Sequence, residues 1–184
     1  MLTFRCRLFP HHTILLALLV TTAIGCGGGG GGGGSSFVGG ALVNIDASPR
    51  ETDPGKRVQV TVRINEAHPD GVYLKIRFPD GFAYAVQTAH FKRNETDRAI
   101  DPAFNAVASK EGSVYLVFNL PRSNFGEDNE GEVVFELNSE SGVQSGKIEV
   151  DADVNDPTIT DQAEFSVDDP EFDVQDDVEI KVRR

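Results

Sequence analysis

Apolar and polar residues alternate along most of the chain after residue 40, a pattern typical of strands that bury one face. From Arg57 to Ile64, every second residue is valine or isoleucine, and the residues between them are arginine, glutamine or threonine. No segment after residue 40 sustains a helical period. The same alternation recurs in Val72 to Phe78, Val114 to Leu120, Val133 to Leu137, Ile148 to Val154 and Val178 to Val182. This pattern predicts about nine strands and an all-β fold.

Turn-forming residues separate these alternating segments. Asp53-Pro54-Gly55, Pro69-Asp70-Gly71, Pro79-Asp80-Gly81 and Lys110-Glu111-Gly112 each lie between apolar runs. Proline and glycine at such positions favour tight turns. Short strands at this spacing, each with one apolar face, favour an antiparallel sandwich.

Several of these segments resemble a known class of module. Ile45 to Pro49, the turn Asp53-Pro54-Gly55 with its following strand, and Phe78 to Phe82 resemble the immunoglobulin-like repeat modules of bacterial surface proteins. Cohesin modules share the first half of the pattern and are the second candidate. The resemblance implies a β-sandwich and a surface location, but no active site. We therefore expect an all-β, immunoglobulin-like antiparallel β-sandwich of about nine strands over residues 41–184.

The first 36 residues have a different character. Arg5 and Arg7 precede an apolar run from Ile14 to Ile24, which is shorter than the roughly 20 residues of a transmembrane helix. Eight consecutive glycines, Gly27 to Gly34, then disfavour any continuation of a helix. The segment therefore fits a signal peptide.

Ala23-Ile24-Gly25-Cys26 resembles the lipobox of bacterial lipoproteins. The resemblance implies attachment of diacylglycerol to the Cys26 thiol as a thioether, cleavage before Cys26, and acylation of the new amino terminus, for example with palmitate. Gly27 after the cysteine is similar to the pattern that sorts lipoproteins to the outer membrane. Cleavage would also leave Cys26 as the one thiol of the mature chain. An unpaired thiol in an exported protein needs an explanation, and attachment of a lipid provides one. An ordinary secretory signal with a chance cysteine is the alternative.

These features divide the chain into three parts. We predict a signal peptide over residues 1–25, a lipidated cysteine with a glycine-rich tether over residues 26–40, and a single β-sandwich domain over residues 41–184.

Charge restricts the partners of the mature chain. Removing Arg5 and Arg7 leaves 15 basic and 29 acidic residues, a net charge of −14. A chain this acidic is a poor partner for nucleic acid. Membrane contact is expected through the acyl chains on Cys26 alone.

The acidic residues are concentrated from Glu149 to Glu179, where 13 of 31 residues are acidic and none is basic. Clustered carboxylates on a loop are typical calcium ligands. Asp153, Asn155, Asp156 and Asp161 are the candidate calcium ligands, although the segment lacks the EF-hand pattern. The alternative is a solvated strand face, in which Glu149, Asp151 and Asp153 project outward while the residues between them point inward.

The residues beyond Cys26 offer little for catalysis. Two histidines remain, His68 and His90, and neither has a second histidine at ligand spacing. Serine hydrolase, zinc protease and dithiol motifs are missing from the sequence. Carboxylates are abundant, but a glycosidase needs two at a defined separation in a cleft, and the sequence specifies no such pair. We predict that the protein is not an enzyme.

Two features are candidates for recognition. Tyr73 and Tyr115 fall on the outward phase of their strands, so they either form a small exposed aromatic face or pack against neighbouring side chains. Lys92 to Pro102 lacks strand character and mixes both signs of charge. As a polar loop on a rigid scaffold, it is the predicted contact region.

Together, these features predict a lipid-anchored, non-enzymatic β-sandwich module of the bacterial cell envelope, acting in adhesion or envelope assembly. The expected location is the outer membrane, and the expected partner is an envelope protein or polysaccharide. A carbohydrate-binding or cohesin-like recognition module is the alternative, and exposed aromatic side chains around Tyr73 and Tyr115 would favour it.

Overall fold

The computed structural model describes residues 39–105, 112–140, 145–155 and 172–183, which share one compact unit. They form twelve strands and one short 3₁₀ helix, Arg122–Asn124. The strands are β1 (Leu42–Ser48), β2 (Glu51–Thr52), β3 (Arg57–Asn65), β4 (Gly71–Pro79), β5 (Phe82–Tyr84), β6 (His90–Arg93), β7 (Thr96–Ala99), β8 (Phe104–Asn105), β9 (Ser113–Pro121), β10 (Gly131–Ser139), β11 (Gly146–Val154) and β12 (Asp176–Val182). The count exceeds the predicted nine because five strands have only two to four residues, too few to show alternation.

The strands form two sheets. The first sheet has the order β1-β3-β10-β6-β7, with β5 also pairing with β10, and its pairs are antiparallel. The second sheet has the order β2-β12-β11-β4-β9-β8 and is antiparallel except between β2 and β12. These sheets confirm the predicted all-β, immunoglobulin-like antiparallel sandwich.

The core lies between the inward faces of the two sheets. In β3, Val58, Val60, Val62 and Ile64 are at most 1% exposed, and the polar residues between them are not buried. The same cluster includes Phe118 from the second sheet and Phe135 from the first, whose ring centroids are 6.0 Å apart. Alternating apolar residues therefore fold the chain as the sequence indicates, because each inward position finds an apolar partner across the sandwich.

The two central strands of the second sheet are buried on both faces, whereas the sequence predicted strands with one buried face. In β4 every residue from Val72 to Ile76 is at most 5% exposed, and in β9 every residue from Tyr115 to Phe118 is fully buried. The prediction of a solvated outer face is wrong for these strands. Their outward side chains, Tyr73, Lys75, Tyr115 and Val117, belong to a second, partly polar layer.

Turns lie where the sequence predicted them within the described residues. The N–H of Lys56 donates to the Asp53 carbonyl (3.1 Å), and the N–H of Gly71 donates to the His68 carbonyl (2.9 Å). The residues of the third described turn, Asp80 and Gly81, join β4 to β5. Lys110 and Glu111 of the fourth turn lie outside the described residues. Across the described part of the chain, no helix is long and apolar enough to cross a membrane.

Candidate functional site

A buried charge cluster lies on the outer face of the second sheet. β11 pairs with β4 so that Asp151 is directly opposite Lys75. The Lys75 ammonium lies 2.7 Å from a carboxylate oxygen of Asp151 and 2.6 Å from one of Asp153. Lys75 and Asp151 are 3% and 1% exposed, whereas Asp153 is 41% exposed. The expectation that Asp151 belongs to a solvated face is therefore wrong.

The chain segment before β12 covers part of this cluster. The Phe172 ring contacts Tyr115 edge to face at 5.8 Å and lies 4.6 Å from the guanidinium of Arg77. The N–H of Asp173 donates to Asp151 (2.9 Å). These contacts combine an aromatic pair, a cation–π contact and a hydrogen bond to a carboxylate. They exclude water from Asp151 and fix the approach to β12.

Burial and charge oppose each other in this cluster. Burial alone would lower the pKa of Lys75, but the carboxylates of Asp151 and Asp153 outweigh it and hold that pKa above the usual 10.5. Burial raises the pKa of Asp151, and the Lys75 ammonium only partly opposes this effect. Because the pKa of Lys75 is raised on folding, its ion pairs stabilise the fold below pH 10.5. That stabilisation is lost as the pH rises through the raised value.

The four candidate calcium ligands do not share one described site. Asp153 pairs with Lys75, and the side-chain amide of Asn155 donates to Asn119 (2.8 Å). Asp156 and Asp161 lie outside the described residues. No group of three or more metal-binding side chains forms among the residues that the structure describes. The calcium site therefore stays a prediction.

Thermal melting tests that prediction. Bound calcium would raise the melting temperature by mass action, with a dissociation constant on the order of 10⁻⁴ to 10⁻³ M as in extracellular modules. Magnesium at matched ionic strength is the control. An equal effect of both ions would indicate charge screening and would remove the calcium assignment.

The region Lys92 to Pro102, predicted as a loop, instead contains most of a β-hairpin. β6 and β7 pair antiparallel from His90 opposite Ala99 to Arg93 opposite Thr96. Asn94 begins the two-residue turn between them with a φ of 50°, a conformation that asparagine tolerates better than most residues. The loop assignment is wrong because the hairpin has polar residues on both faces and shows no apolar alternation.

Strand β7 lies at one end of the first sheet, its outer edge is open among the described residues, and all four of its residues are exposed. The N–H of Ile100 donates to the Ala89 carbonyl at 3.0 Å. Because inward and outward backbone groups alternate in an antiparallel pair, Ala99 and Asp97 direct their N–H and C=O groups away from β6. The hairpin therefore presents backbone donors and acceptors at a sheet edge.

The outer face of the hairpin carries a histidine–carboxylate pair. The His90 Nδ1 lies 2.6 Å from Asp97, beside a shallow cavity of about 370 Å³ that Thr88 and Glu136 also line. A catalytic triad would require a hydroxyl or thiol available to the imidazole. The Thr88 hydroxyl instead donates to the Ala85 carbonyl and accepts the N–H of Glu136. Among the lining residues, this pair therefore has no available hydroxyl or thiol beside it.

The inner face of the hairpin carries Arg93 and Arg98, which lie within the predicted contact region but were not predicted to line a cavity. Arg98 donates to the side-chain oxygen of Asn124 (2.5 Å), and Arg93 packs its guanidinium against Gly126. Together with Phe91, Thr96 and Ser123, residues Arg93, Arg98 and Asn124 line a cavity of about 150 Å³. The arginines are visible in the sequence, but nothing there places them beside the 3₁₀ helix.

The tyrosines predicted on the outward phase are packed rather than exposed. Tyr73 is 5% exposed and Tyr115 is fully buried. The large apolar side chains that are exposed among the described residues are Leu42, Val86 and Val174. In the described part of the chain, the exposed aromatic face expected of a sugar-binding module is therefore missing.

No protein-family model matches the chain, and no curated protein matches it. Among solved structures, AvmM, which catalyses macrocyclization in alchivemycin A biosynthesis, is 14% identical, with a TM-score of 0.44 over 79% of this chain and 89% of its own. The collagen-binding domain of a Staphylococcus aureus adhesin is 9% identical, with a TM-score of 0.43 over 78% and 97%. A type II cohesin domain from Acetivibrio cellulolyticus is 11% identical, with a TM-score of 0.33 over 78% and 92%. All three TM-scores are below 0.5, so these similarities assign no function to the chain.

Proposed function

We propose that the protein is a lipid-anchored, non-enzymatic recognition module of the bacterial cell envelope, and that it binds an envelope or extracellular protein in adhesion or envelope assembly. The open edge of β7 is the observation that carries the proposal. An edge strand with unpaired backbone groups is a template for another chain, and native proteins usually cover or blunt such an edge.

Two other observations support recognition over catalysis. The two larger described cavities are shallow, and several of the charged side chains that line them pair with each other, as Arg57 does with Glu136 and Arg63 with Glu132. The packed tyrosines disfavour the alternative of a carbohydrate-binding module, which usually relies on exposed aromatic rings. The proposal that Cys26 is the anchor rests on the lipobox resemblance and on the glycine tether that follows it.

Replacing the anchoring residue tests the cellular part of this proposal. We expect Cys26→Ser to shift the protein from the membrane fraction to the soluble fraction, or to leave the signal peptide uncleaved, because serine offers no thiol to form the thioether with diacylglycerol. Cell fractionation and mass spectrometry of the amino terminus provide the measurement. Cys6→Ser, within the segment to be removed, is the control and should leave anchoring unchanged. Processed, membrane-bound Cys26→Ser protein would contradict the lipid anchor.

A further inference from the structure

The inner face of the β6–β7 hairpin concentrates positive charge in an acidic protein. Several other arginines among the described residues pair with acids on neighbouring strands, as Arg63 does with Glu132 at 3.1 Å and Arg77 with Glu149 at 2.6 Å. Within the same described residues, neither Arg93 nor Arg98 forms an ion pair with a carboxylate. Their charges are therefore available to an anionic group from outside the chain.

The surroundings of these two arginines are held in place. The Phe91 and Phe125 rings, both 3% exposed, meet edge to face at 5.3 Å and connect β6 to the end of the 3₁₀ helix. Arg122 donates to the carbonyls of Phe125 and Gly126 and so fixes the main chain against which Arg93 packs. A cavity that is ordered before binding loses less conformational entropy on binding.

The cavity itself selects a small anion. Its volume of about 150 Å³ accommodates a carboxylate side chain but not an extended ligand. The guanidinium groups of Arg93 and Arg98 and the hydroxyls of Thr96 and Ser123 are donors suited to carboxylate oxygens. Arg98 belongs to the same strand as Asp97 and Ala99, whose backbone groups face the open edge.

From this arrangement we propose that the hairpin binds an extended peptide segment that adds a strand to β7 and places an acidic side chain in the Arg93–Arg98 cavity. This inference rests on the proposed recognition function and specifies the chemistry of the partner. Backbone pairing with Asp97 and Ala99 supplies affinity, and the acidic residue fixes the register. A polyanionic sugar fits less well because the net charge of the mature chain repels it and because it offers no backbone to pair with the edge.

Titration of the folded protein with short blocked peptides tests the proposal. The first peptide alternates threonine and valine around one central glutamate, and the second carries glutamine in its place. We expect the glutamate peptide to shift the backbone amide resonances of Asp97 and Ala99 and to bind about tenfold or more tightly than the glutamine peptide, the effect of a charge-assisted hydrogen bond. Arg98→Gln should remove that difference, whereas Lys181→Gln, which removes an exposed charge on β12, should keep it.

Variants at the strand edge separate backbone pairing from simple anion binding. Ala99→Pro removes an outward N–H that no described hydrogen bond uses, so we expect it to abolish binding. Ala99→Thr keeps the N–H and should retain binding. The remaining amide spectrum of each variant reports whether the fold is intact.

Three results would overturn the proposal. The first is equal affinity for the two peptides, and the second is unchanged peptide binding by Ala99→Pro. The third is an affinity for sulfate or trigalacturonate that equals the affinity for the glutamate peptide and that is lost in Arg98→Gln but kept in Ala99→Pro. That result would indicate a general anion site. A recognition function through another surface would survive each of these results, because they test only the hairpin.

Discussion

Replacing Lys75 by methionine is expected to lower the free energy of unfolding by about 3–5 kcal/mol, the cost of leaving a buried charge without its partner. The substitution preserves most of the side-chain volume but removes the ammonium that lies 2.7 Å from Asp151. Asp151 would then be an unpaired carboxylate that is 1% exposed. Urea denaturation followed by circular dichroism at neutral pH measures the change.

Two further variants isolate the electrostatic cause. Lys147→Met removes a lysine whose ion pair with Asp177 is exposed, so it should leave stability nearly unchanged. The double variant Lys75→Met with Asp151→Asn should recover part of the loss because it no longer buries an unpaired charge. A double variant less stable than Lys75→Met alone would show that packing, and not the unpaired carboxylate, dominates.

Gly71→Ala is the second substitution with a large expected effect, a loss of about 3 kcal/mol or more from backbone strain and steric overlap. Gly71 starts β4 with a φ of 103°, and a Cβ there would lie 2.4 Å from the Leu120 carbonyl oxygen. That oxygen belongs to the backbone of the neighbouring β9 and cannot move independently. The melting midpoint in urea provides the measurement.

Gly55→Ala is the matched control for that substitution. Gly55 also has a positive φ, 80°, but a Cβ there would meet no atom within 4 Å. Only the conformational cost applies, about 1 kcal/mol. Equal losses in the two variants would mean that contact with β9 contributes nothing at Gly71.

The sequence was sufficient to predict the long strands, because a strand that buries one face must repeat apolar residues with a period of two. β3 shows this directly, with four inward apolar residues and polar residues between them. The central strands β4 and β9 follow the same inward pattern, but their outward residues are also buried. Phe172, which contacts Tyr115 in that second layer, is distant in sequence and lies outside the alternating segments.

The cross-strand partners could not be predicted. Lys75 and Asp151 meet because β4 and β11 are neighbours in a particular register, and no local pattern encodes that register. Asp151 on its own belongs equally well to a solvated acidic face, which is how the sequence was interpreted. The only local indication of this buried pair was the lysine itself, at an outward position of a strand with apolar neighbours.

The hairpin was missed for a different reason. β7 lies at the end of its sheet, and its residues Thr96 to Ala99 are all exposed, so no core imposes apolar residues on it. The polar composition of Lys92 to Pro102 was interpreted as a loop that forms a contact region; the loop assignment is wrong, and the contact region stays a prediction. The cavity beside Arg93 and Arg98 also needs Ser123 and Asn124 from the 3₁₀ helix that follows β9, which only the tertiary structure brings close.

The most direct test of recognition through this hairpin is photo-crosslinking in intact cells that express the full-length protein. A photoreactive amino acid replaces Glu95 in the turn of the hairpin or, in a separate variant, Lys147 on the second sheet. Our account predicts a crosslink from position 95 to one defined envelope protein, weakened by Arg98→Gln, unchanged by Lys181→Gln, and missing from position 147. Crosslinks of equal yield from both positions, or a crosslink from position 95 that Arg98→Gln leaves unchanged, would contradict it.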